Sequence, residues 1–184
     1  MPLGILTSLA VFEDMARDLG QNRRALILGA RGGVGVYAVQ LARTLGYQVD
    51  VVDAQEYAEF LFSLGADHVL DQGKGTYDFV FDLTTQYSWE DCKKLLTPTG
   101  KFVPALPDDS NGGTRNDSQV GYLMLTHGDG PRLEDWGAKV TQKDIVPIID
   151  SVFTFDNYQE GLNRLSERGK KGRIVLVWDA DDLL

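Results

Sequence analysis

Short runs of Val, Ile, Leu and Phe alternate along this chain with longer segments whose apolar residues recur at helical spacing. Residues 25–28, Ala-Leu-Ile-Leu, form such a run, with none of the polar alternation of a strand that has one face in water. Strands that alternate with helices build βαβ units. The sequence therefore predicts an α/β fold of the Rossmann type, with a doubly wound, mostly parallel sheet and helices on both faces.

The same pattern gives the number of elements and a division of the chain. Residues 145–155 and 173–178 indicate strands on either side of a helix near 158–165, which predicts a strand–helix–strand segment over 145–184 after a dinucleotide-binding domain over 1–144. Helices are expected at 6–19, from 34 to a stop at Gly46, from 57 to a stop at Gly65, and after Ser88 as a cap. Six strands are predicted for the main sheet, at residues 25–28, 49–52, 68–70, 79–81, 102–103 and 122–125.

One connection does not suit a regular βαβ unit. Only residues 71–77 separate the third predicted strand from the fourth, and six steps of chain reach roughly 20 Å at most. A parallel crossover must return the length of a strand and usually contains a helix. We therefore expect the third strand to be short, irregular or misplaced, or the usual helix to be deleted.

A glycine-rich segment between the first strand and its helix carries the chemistry. Residues 29–35 read Gly-Ala-Arg-Gly-Gly-Val-Gly. Gly32 allows the main chain to approach a diphosphate, Gly35 allows the helix to pack closely on the strand, and the free N–H groups that open the helix attract the anion. Asp53 ends the second strand, where a carboxylate can accept hydrogen bonds from a ribose diol. Because Asp53 would repel a 2′-phosphate, the sequence favours NAD over NADP.

Composition excludes several other classes of protein. The formal charge of −9 argues against nucleic acid as a partner. Cys92 and two histidines far apart in sequence do not suggest a metal site. No apolar run is long enough to span a bilayer and the N-terminus does not resemble a signal peptide, so a cytoplasmic protein with no membrane partner is expected.

At this point the chain resembles the medium-chain dehydrogenase/reductase family, most closely its zinc-free quinone-oxidoreductase branch. Residues 30–35, Ala30, Arg31, Gly32, Gly33, Val34 and Gly35, are similar to the AxGxxG diphosphate turn of that branch. The other resembling stretches are LGADHVLD, YDFVFDLT, LLTPTGKFV and PIIDSVFTFDNYQEGLNRLSERGKKGRIVLV, which follow in the family's order.

The resemblance implies a domain that binds NAD or NADP for hydride transfer to a quinone, an enone or a carbonyl compound. It implies that Asp82 and Thr84 line the cofactor and that Ala105 and Leu106 lie near the nicotinamide. It also implies a homodimer formed through an edge strand from Tyr122 to Leu125. No catalytic residue is named, because relatives without zinc share no universal general acid.

Two departures from the family shape the functional expectation. Family members begin with a GroES-like catalytic domain that these 184 residues do not include, so the chain is expected to be inactive alone. The stretch Leu3 to Leu6 lacks the cysteine ligand of zinc-dependent members. An alternative is a stand-alone dinucleotide-binding or redox-sensing module without catalysis. A methyltransferase that uses S-adenosylmethionine is disfavoured, since Ile27 and Leu28 stand where such enzymes usually carry an acidic residue.

Overall fold

A five-stranded parallel sheet in the order β3-β2-β1-β4-β5 forms the centre of the computed structural model, which describes residues 2–15, 23–108, 117–121, 130–142 and 144–178. The strand order reverses between β1 and β4, and a doubly wound sheet binds its ligand at the carboxyl ends of the strands beside such a reversal. The five strands are β1 (Arg24–Leu28), β2 (Gln48–Val52), β3 (His68–Leu70), β4 (Tyr77–Asp82) and β5 (Leu96–Pro104).

The α/β Rossmann-like class is thus confirmed, with five strands in the part of the chain that is described. The predicted sixth strand, from Tyr122 to Leu125, lies outside the described residues. Just before it, Val120 forms an isolated parallel bridge with Phe102, and the N–H of Gly121 donates to the Phe102 carbonyl at 2.7 Å. The chain therefore runs beside β5 at this point, and the six-strand count stays a prediction.

One face of the sheet is covered by helices α1 (Pro2–Leu9), α2 (Gly35–Thr44) and α3 (Ala58–Ser63) together with α5 (Gly130–Thr141). Phe12, in a π-helical turn that continues α1, is buried against the rings of Tyr47, Phe79 and Phe81. These aromatic contacts hold the N-terminal segment over the sheet. Its helix begins at Pro2, earlier than expected, because proline suits a first helical turn, where its missing N–H has no partner to lose.

The other face of the sheet is covered by α4 (Trp89–Lys93) and by the link between β3 and β4. Ser88 caps α4, as expected, by accepting a hydrogen bond from the Asp91 N–H at 3.2 Å. The link has no helix, and Gly73 lies directly against the side chains of Leu26 and Leu95. β3 has only three residues, so the short connection is accommodated by a short strand and by a link that crosses the sheet face itself.

Residues 145–178 contain a second, two-stranded parallel sheet, with β6 (Ile149–Thr154) and β7 (Arg173–Val177) joined through a 3₁₀ turn and α6 (Tyr158–Ser166). We call this the C-terminal unit. It contacts the main domain: Gln40 of α2 exchanges two hydrogen bonds with the backbone of Val146, at 2.7 and 3.0 Å. The predicted strand–helix–strand pattern is therefore present, and it packs on the domain that precedes it.

Candidate dinucleotide-binding site

The glycine turn lies at the carboxyl end of β1, the central strand, and leads into α2. The N–H of Gly32 donates to the Gly29 carbonyl at 3.2 Å, and Gly29 has a φ of +87°, a left-handed conformation that glycine adopts without strain. Val34 precedes α2 and makes no side-chain capping bond. Among the described residues, no backbone carbonyl accepts from the N–H groups of Gly33, Val34 or Gly35. The helix thus opens with free donors, which is the arrangement that binds anions.

The glycines of the turn have different surroundings. A side chain at Gly32 would meet only the Gly29 carbonyl oxygen, 3.4 Å from the Cβ position, so this face of the turn is open. A Cβ at Gly35 would lie 2.3 Å from the same oxygen, so close packing of helix on strand requires glycine there. The structure therefore gives Gly32 room for a ligand and gives Gly35 a role in packing.

Arg31 and Asp53 form an ion pair beside the turn. Arg31 Nε donates to Asp53 Oδ2 at 2.6 Å, and the Ala54 N–H donates to the other carboxylate oxygen at 2.8 Å. The Arg31 guanidinium carbon also lies 3.7 Å from the centroid of the Tyr57 ring, a cation–π contact. The carboxylate expected to receive the ribose is thus occupied by two donors from its own chain.

The C-terminal unit closes over the same place. The Gly172 N–H donates to the Arg31 carbonyl at 2.8 Å, and the Arg173 side chain packs directly on Gly33. Arg173 Nε is buried and has no hydrogen-bond partner among the described residues. A buried, unpaired guanidinium N–H is costly unless an acceptor reaches it. An anionic ligand on the turn would supply that acceptor.

A cavity of about 550 Å³ lies between the turn and the C-terminal unit, and we call it the turn cavity. Residues 167–170 form one wall of it, and Asp53 stands opposite. The lining residues that bear charge are Arg31, Asp53, Glu167, Arg168 and Lys170. A net-positive lining in a chain with a formal charge of −9 suits a phosphorylated ligand.

The residues at the strand ends that were expected to line the cofactor lie at different distances from the turn and differ in burial. Thr84 lies against Gly29, within reach of the turn. Asp82 is fully buried; its Oδ1 accepts from the Thr84 N–H and hydroxyl, while Oδ2 has no partner among the described residues. Ala105 is half-buried and donates to the Asp82 carbonyl at 2.8 Å, whereas Leu106 is 69% exposed. None of these four residues, Thr84 included, lines the turn cavity.

Several polar or reactive side chains are held in the interior instead. Burial raises the pKa of Cys92 to about 12 and also raises the pKa of Tyr37, which lies in the core behind the turn. Neither group is placed for proton transfer at the turn cavity. In the part of the chain that the structure describes, no three His, Cys, Asp or Glu residues are grouped to hold a metal ion. No helix there is long and apolar enough to cross a bilayer.

Sequence reasoning missed the contribution of the C-terminal unit to this site. Arg168 and Lys170 lie in a basic stretch between α6 and β7, and Arg173 begins β7; the sequence pattern gives none of them a role. The clustered charge was visible in the sequence. Its position over a turn more than a hundred residues earlier depends on how the C-terminal unit packs, and no local pattern encodes that.

Comparison with known proteins shows that the chain is similar in sequence to dehydrogenases and oxidoreductases. The family model described as zinc-binding dehydrogenase matches residues 51–176. A zinc-type alcohol dehydrogenase-like protein of Schizosaccharomyces pombe is 30% identical over 200 aligned positions, covering 95% of this chain and 58% of that protein. The mitochondrial NAD(P)H oxidoreductase RTN4IP1 of Mus musculus is 27% identical, covering 85% of this chain and 48% of that protein.

The fold is likewise that of solved oxidoreductases. The quinone oxidoreductase of Coxiella burnetii superimposes with a TM-score of 0.81 at 22% identity, covering 96% of this chain and 58% of that one. The chain therefore spans about half the length of the curated relatives and solved structures that it matches.

Proposed function

The chain belongs to the zinc-binding dehydrogenase family, a group of medium-chain dehydrogenases and reductases, and on this basis we propose that it is the NAD(P)H-binding part of a zinc-independent oxidoreductase. The substrate class we propose is a quinone, an enone or a carbonyl compound. The bound nicotinamide supplies the hydride, and the protein supplies position and electrostatic field. The observation that carries the proposal is the open face of Gly32 beside the buried, unpaired Nε of Arg173.

The residues of the turn would hold the diphosphate. The N–H groups of Gly33, Val34 and Gly35 point from the first turn of α2, and Arg173 adds a formal charge on the side of the C-terminal unit. Thr84 stands beside Gly29, where the cofactor would leave the turn. We keep Asp82 as a proposed contact of the cofactor, and Ala105 and Leu106 as proposed contacts of its nicotinamide, supported only by their position at the carboxyl ends of β4 and β5.

We also propose the division into a dinucleotide-binding domain over residues 1–144 and a returning segment over 145–184. The apolar surface of the C-terminal unit supports it, because several large side chains there are at least 40% exposed. In a full-length protein we expect a catalytic domain to cover them and to complete the substrate site, so the chain alone is expected to lack turnover. The exposed residues are Phe155, Tyr158, Leu162, Leu165, Leu176 and Trp178.

A stand-alone binding or sensing module remains the second candidate. Both candidates use the glycine turn, and they differ in whether the gene encodes a catalytic domain upstream of Met1. A reading frame that continues upstream of Met1 into such a domain would favour the oxidoreductase. The homodimer through Tyr122 to Leu125, the cytoplasmic location and the preference for NAD that Asp53 suggests stay predictions. That preference assumes a carboxylate open to the ribose, and the ion pair with Arg31 weakens the assumption.

The test of the proposed function is a substitution in the turn. Gly32→Val is expected to weaken NADH and NADPH binding at least about a hundredfold, because its side chain occupies the space of the diphosphate. The melting temperature should change little, since the position is open. Binding is measured by calorimetric titration. Gly137→Ala, on α5 with nothing within 4 Å of the added carbon, is the matched control and should bind as the parent does.

If Gly32→Val binds both dinucleotides as tightly as the parent chain, the turn is not the site. If the parent binds neither dinucleotide, the proposed function itself is wrong for this chain.

A further inference from the structure

Beside the end of β2, where the ribose is expected, the turn cavity is lined by Arg31 and by the less exposed Asp53. The carboxylate side chain of Asp53 is 7% exposed, whereas the guanidinium side chain of Arg31 is 24% exposed. Both oxygens of Asp53 already accept hydrogen bonds, from Arg31 Nε and from the Ala54 N–H. A ribose diol would therefore meet a cation before it met the carboxylate.

Arg31 is also held in one place. Its guanidinium stacks on Tyr57 at 3.7 Å and its own carbonyl accepts from Gly172. The contact with Asp53 uses Nε, which leaves the two terminal nitrogens out of that pair. Those nitrogens form the planar pair of donors that suits phosphate oxygens. A fixed side chain loses less conformational entropy when it binds a ligand.

The cavity around Arg31 adds further positive charge. Arg168 and Lys170 line it together with Glu167, so with the Arg31–Asp53 pair the lining holds three cations and two carboxylates. The Lys171 ammonium lies 5.5 Å from the Tyr57 ring, on the same aromatic residue that supports Arg31. A monophosphate ester adds about −1.5 to −2 charge at neutral pH, so this lining favours a ligand that carries one more phosphate.

From these contacts we infer that Arg31, supported by Tyr57 and Asp53, is the selectivity residue of the site and binds the 2′-phosphate of NADPH in preference to the ribose diol of NADH. The inference rests on the proposed function and deepens it. It reverses the selectivity that Asp53 alone suggests. In this arrangement Asp53 acts as a positioning residue, because it holds the guanidinium over the ribose position.

The experiment measures dissociation constants of NADPH and NADH for the parent chain, Arg31→Ala, Asp53→Asn and the double variant at one ionic strength. Adenosine 2′,5′-bisphosphate and ADP serve as a second pair of probes that lacks the nicotinamide. Arg43→Ala is the matched control, because it removes one cation from another Arg–Asp pair of the same domain, far from the turn. The quantity compared is the selectivity ratio, which is the dissociation constant of NADH divided by that of NADPH.

We expect the parent to bind NADPH more tightly than NADH, and Arg31→Ala to shrink that ratio about tenfold to a hundredfold. Arg43→Ala should leave it unchanged. The double variant separates two roles for Arg31: a direct contact with phosphate predicts that Arg31→Ala still reduces the ratio in the Asp53→Asn background. If Arg31 only masks the charge of Asp53, Arg31→Ala should leave the ratio unchanged in the Asp53→Asn background.

Tighter NADH binding by the parent, or an unchanged ratio in the Asp53→Asn background, would overturn the inference while leaving dinucleotide binding intact. Failure of all four nucleotides to bind would instead overturn the proposed function, and the selectivity with it.

Discussion

At the scale of single residues, Asp50 is the most heavily bonded carboxylate of the sheet. It lies on β2 with 3% of its surface exposed and accepts from Arg24 at 2.9 Å, from the Tyr77 hydroxyl at 2.9 Å and from a ring nitrogen of His68 at 2.8 Å. The pKa of Tyr77 is raised, chiefly by burial and then by its bond to Asp50. Three strands, β1, β3 and β4, thus each supply a hydrogen bond to one buried carboxylate on a fourth.

Asp50→Asn tests how much that charge stabilises the sheet. We expect a loss of about 2–4 kcal/mol in the free energy of unfolding, because Arg24 is left with a neutral partner and the amide must donate where only donors point. Urea unfolding at neutral pH measures the loss. Arg43→Ala removes an exposed ion pair and should cost under about 1 kcal/mol. An Asp50→Asn variant as stable as Arg43→Ala would show that the cluster adds no more than a surface pair.

Individual residues also show how far sequence reasoning reaches. Gly32 was found because the glycine pattern, the preceding apolar run and the following helix all lie within one continuous stretch. Arg173 was missed because its relation to Gly33 depends on tertiary packing. Asp53 was found at the right strand end, yet its pairing with Arg31 could not be read from a separation of 22 residues. The local part of the site was therefore predictable, and the part built by chain return was not.

At the scale of elements, the link between β3 and β4 is close to its shortest possible length. The strand pairings from β3 through β2 and β1 to β4 place Leu70 and Asp82 at the same height in the sheet. Three strand spacings of about 4.8 Å and five residues of about 3.3 Å along β4 place Tyr77 about 22 Å from Leu70. The seven steps between them reach about 23 Å.

Deleting one residue of the link, Lys74, should therefore destabilise the sheet by more than about 2 kcal/mol, since six steps reach only about 20 Å. Inserting one glycine after Gly73 should cost under about 1 kcal/mol, because longer loops add little closure entropy. Denaturant unfolding of the two variants measures how much stability the deletion loses compared with the insertion. Equal losses for deletion and insertion would mean that the link is not taut.

The C-terminal unit contains a carboxylate whose titration can be followed. Two hydrogen bonds from Arg164, both 2.8 Å, and the N–H of Lys171 hold the pKa of Asp150 at about 2. Because the folded pKa is depressed, the stabilisation is complete above the unfolded value of about 4 and is lost as pH falls toward 2.

The matching prediction compares the parent chain with Asp150→Asn. Their difference in free energy of unfolding should be constant between about pH 5 and pH 8 and should shrink as pH falls from about 4 toward 2. Urea unfolding at a series of pH values gives the difference. Asp156→Asn, which removes a carboxylate at an exposed position nearby, is the matched variant for the loss of one charge. A difference that grows on acidification would refute the assignment.

Element boundaries show the same limits of prediction. β3 lies at the predicted bounds, since Val69 and Leu70 form a short apolar run that follows His68 and ends at a turn. α5 was missed: Leu133, Trp136 and Val140 have helical spacing, but the polar residues between them weaken the signal. β5 extends well before the predicted residues 102–103, because Leu96 also pairs with Tyr77 of β4, ahead of a register shift that the apolar pattern does not reveal.

At the scale of the whole molecule, two apolar regions compete as sites of self-association. One is the exposed surface of the C-terminal unit, where Phe155 stacks on Trp178 with ring centroids 4.4 Å apart. The other is the stretch from Tyr122 to Leu125, which follows the point where Gly121 runs beside the outermost described strand. The sixth strand predicted from the sequence at residues 122–125, which lie outside the described residues, would offer unpaired backbone groups to a second copy, whereas scattered apolar side chains on a small unit offer no such register.

We therefore predict that the chain is a dimer through residues 122–125 and that Leu123→Arg makes it monomeric, because two copies of the charge would meet at an isologous interface. Sedimentation velocity across a range of protein concentrations measures the change. Leu162→Arg, which adds the same charge at a 49% exposed position of α6, is the control and should remain dimeric. If Leu162→Arg dissociates the dimer and Leu123→Arg does not, the C-terminal unit is the interface. The surface proposed for the catalytic domain would then be occupied by a second copy of this chain.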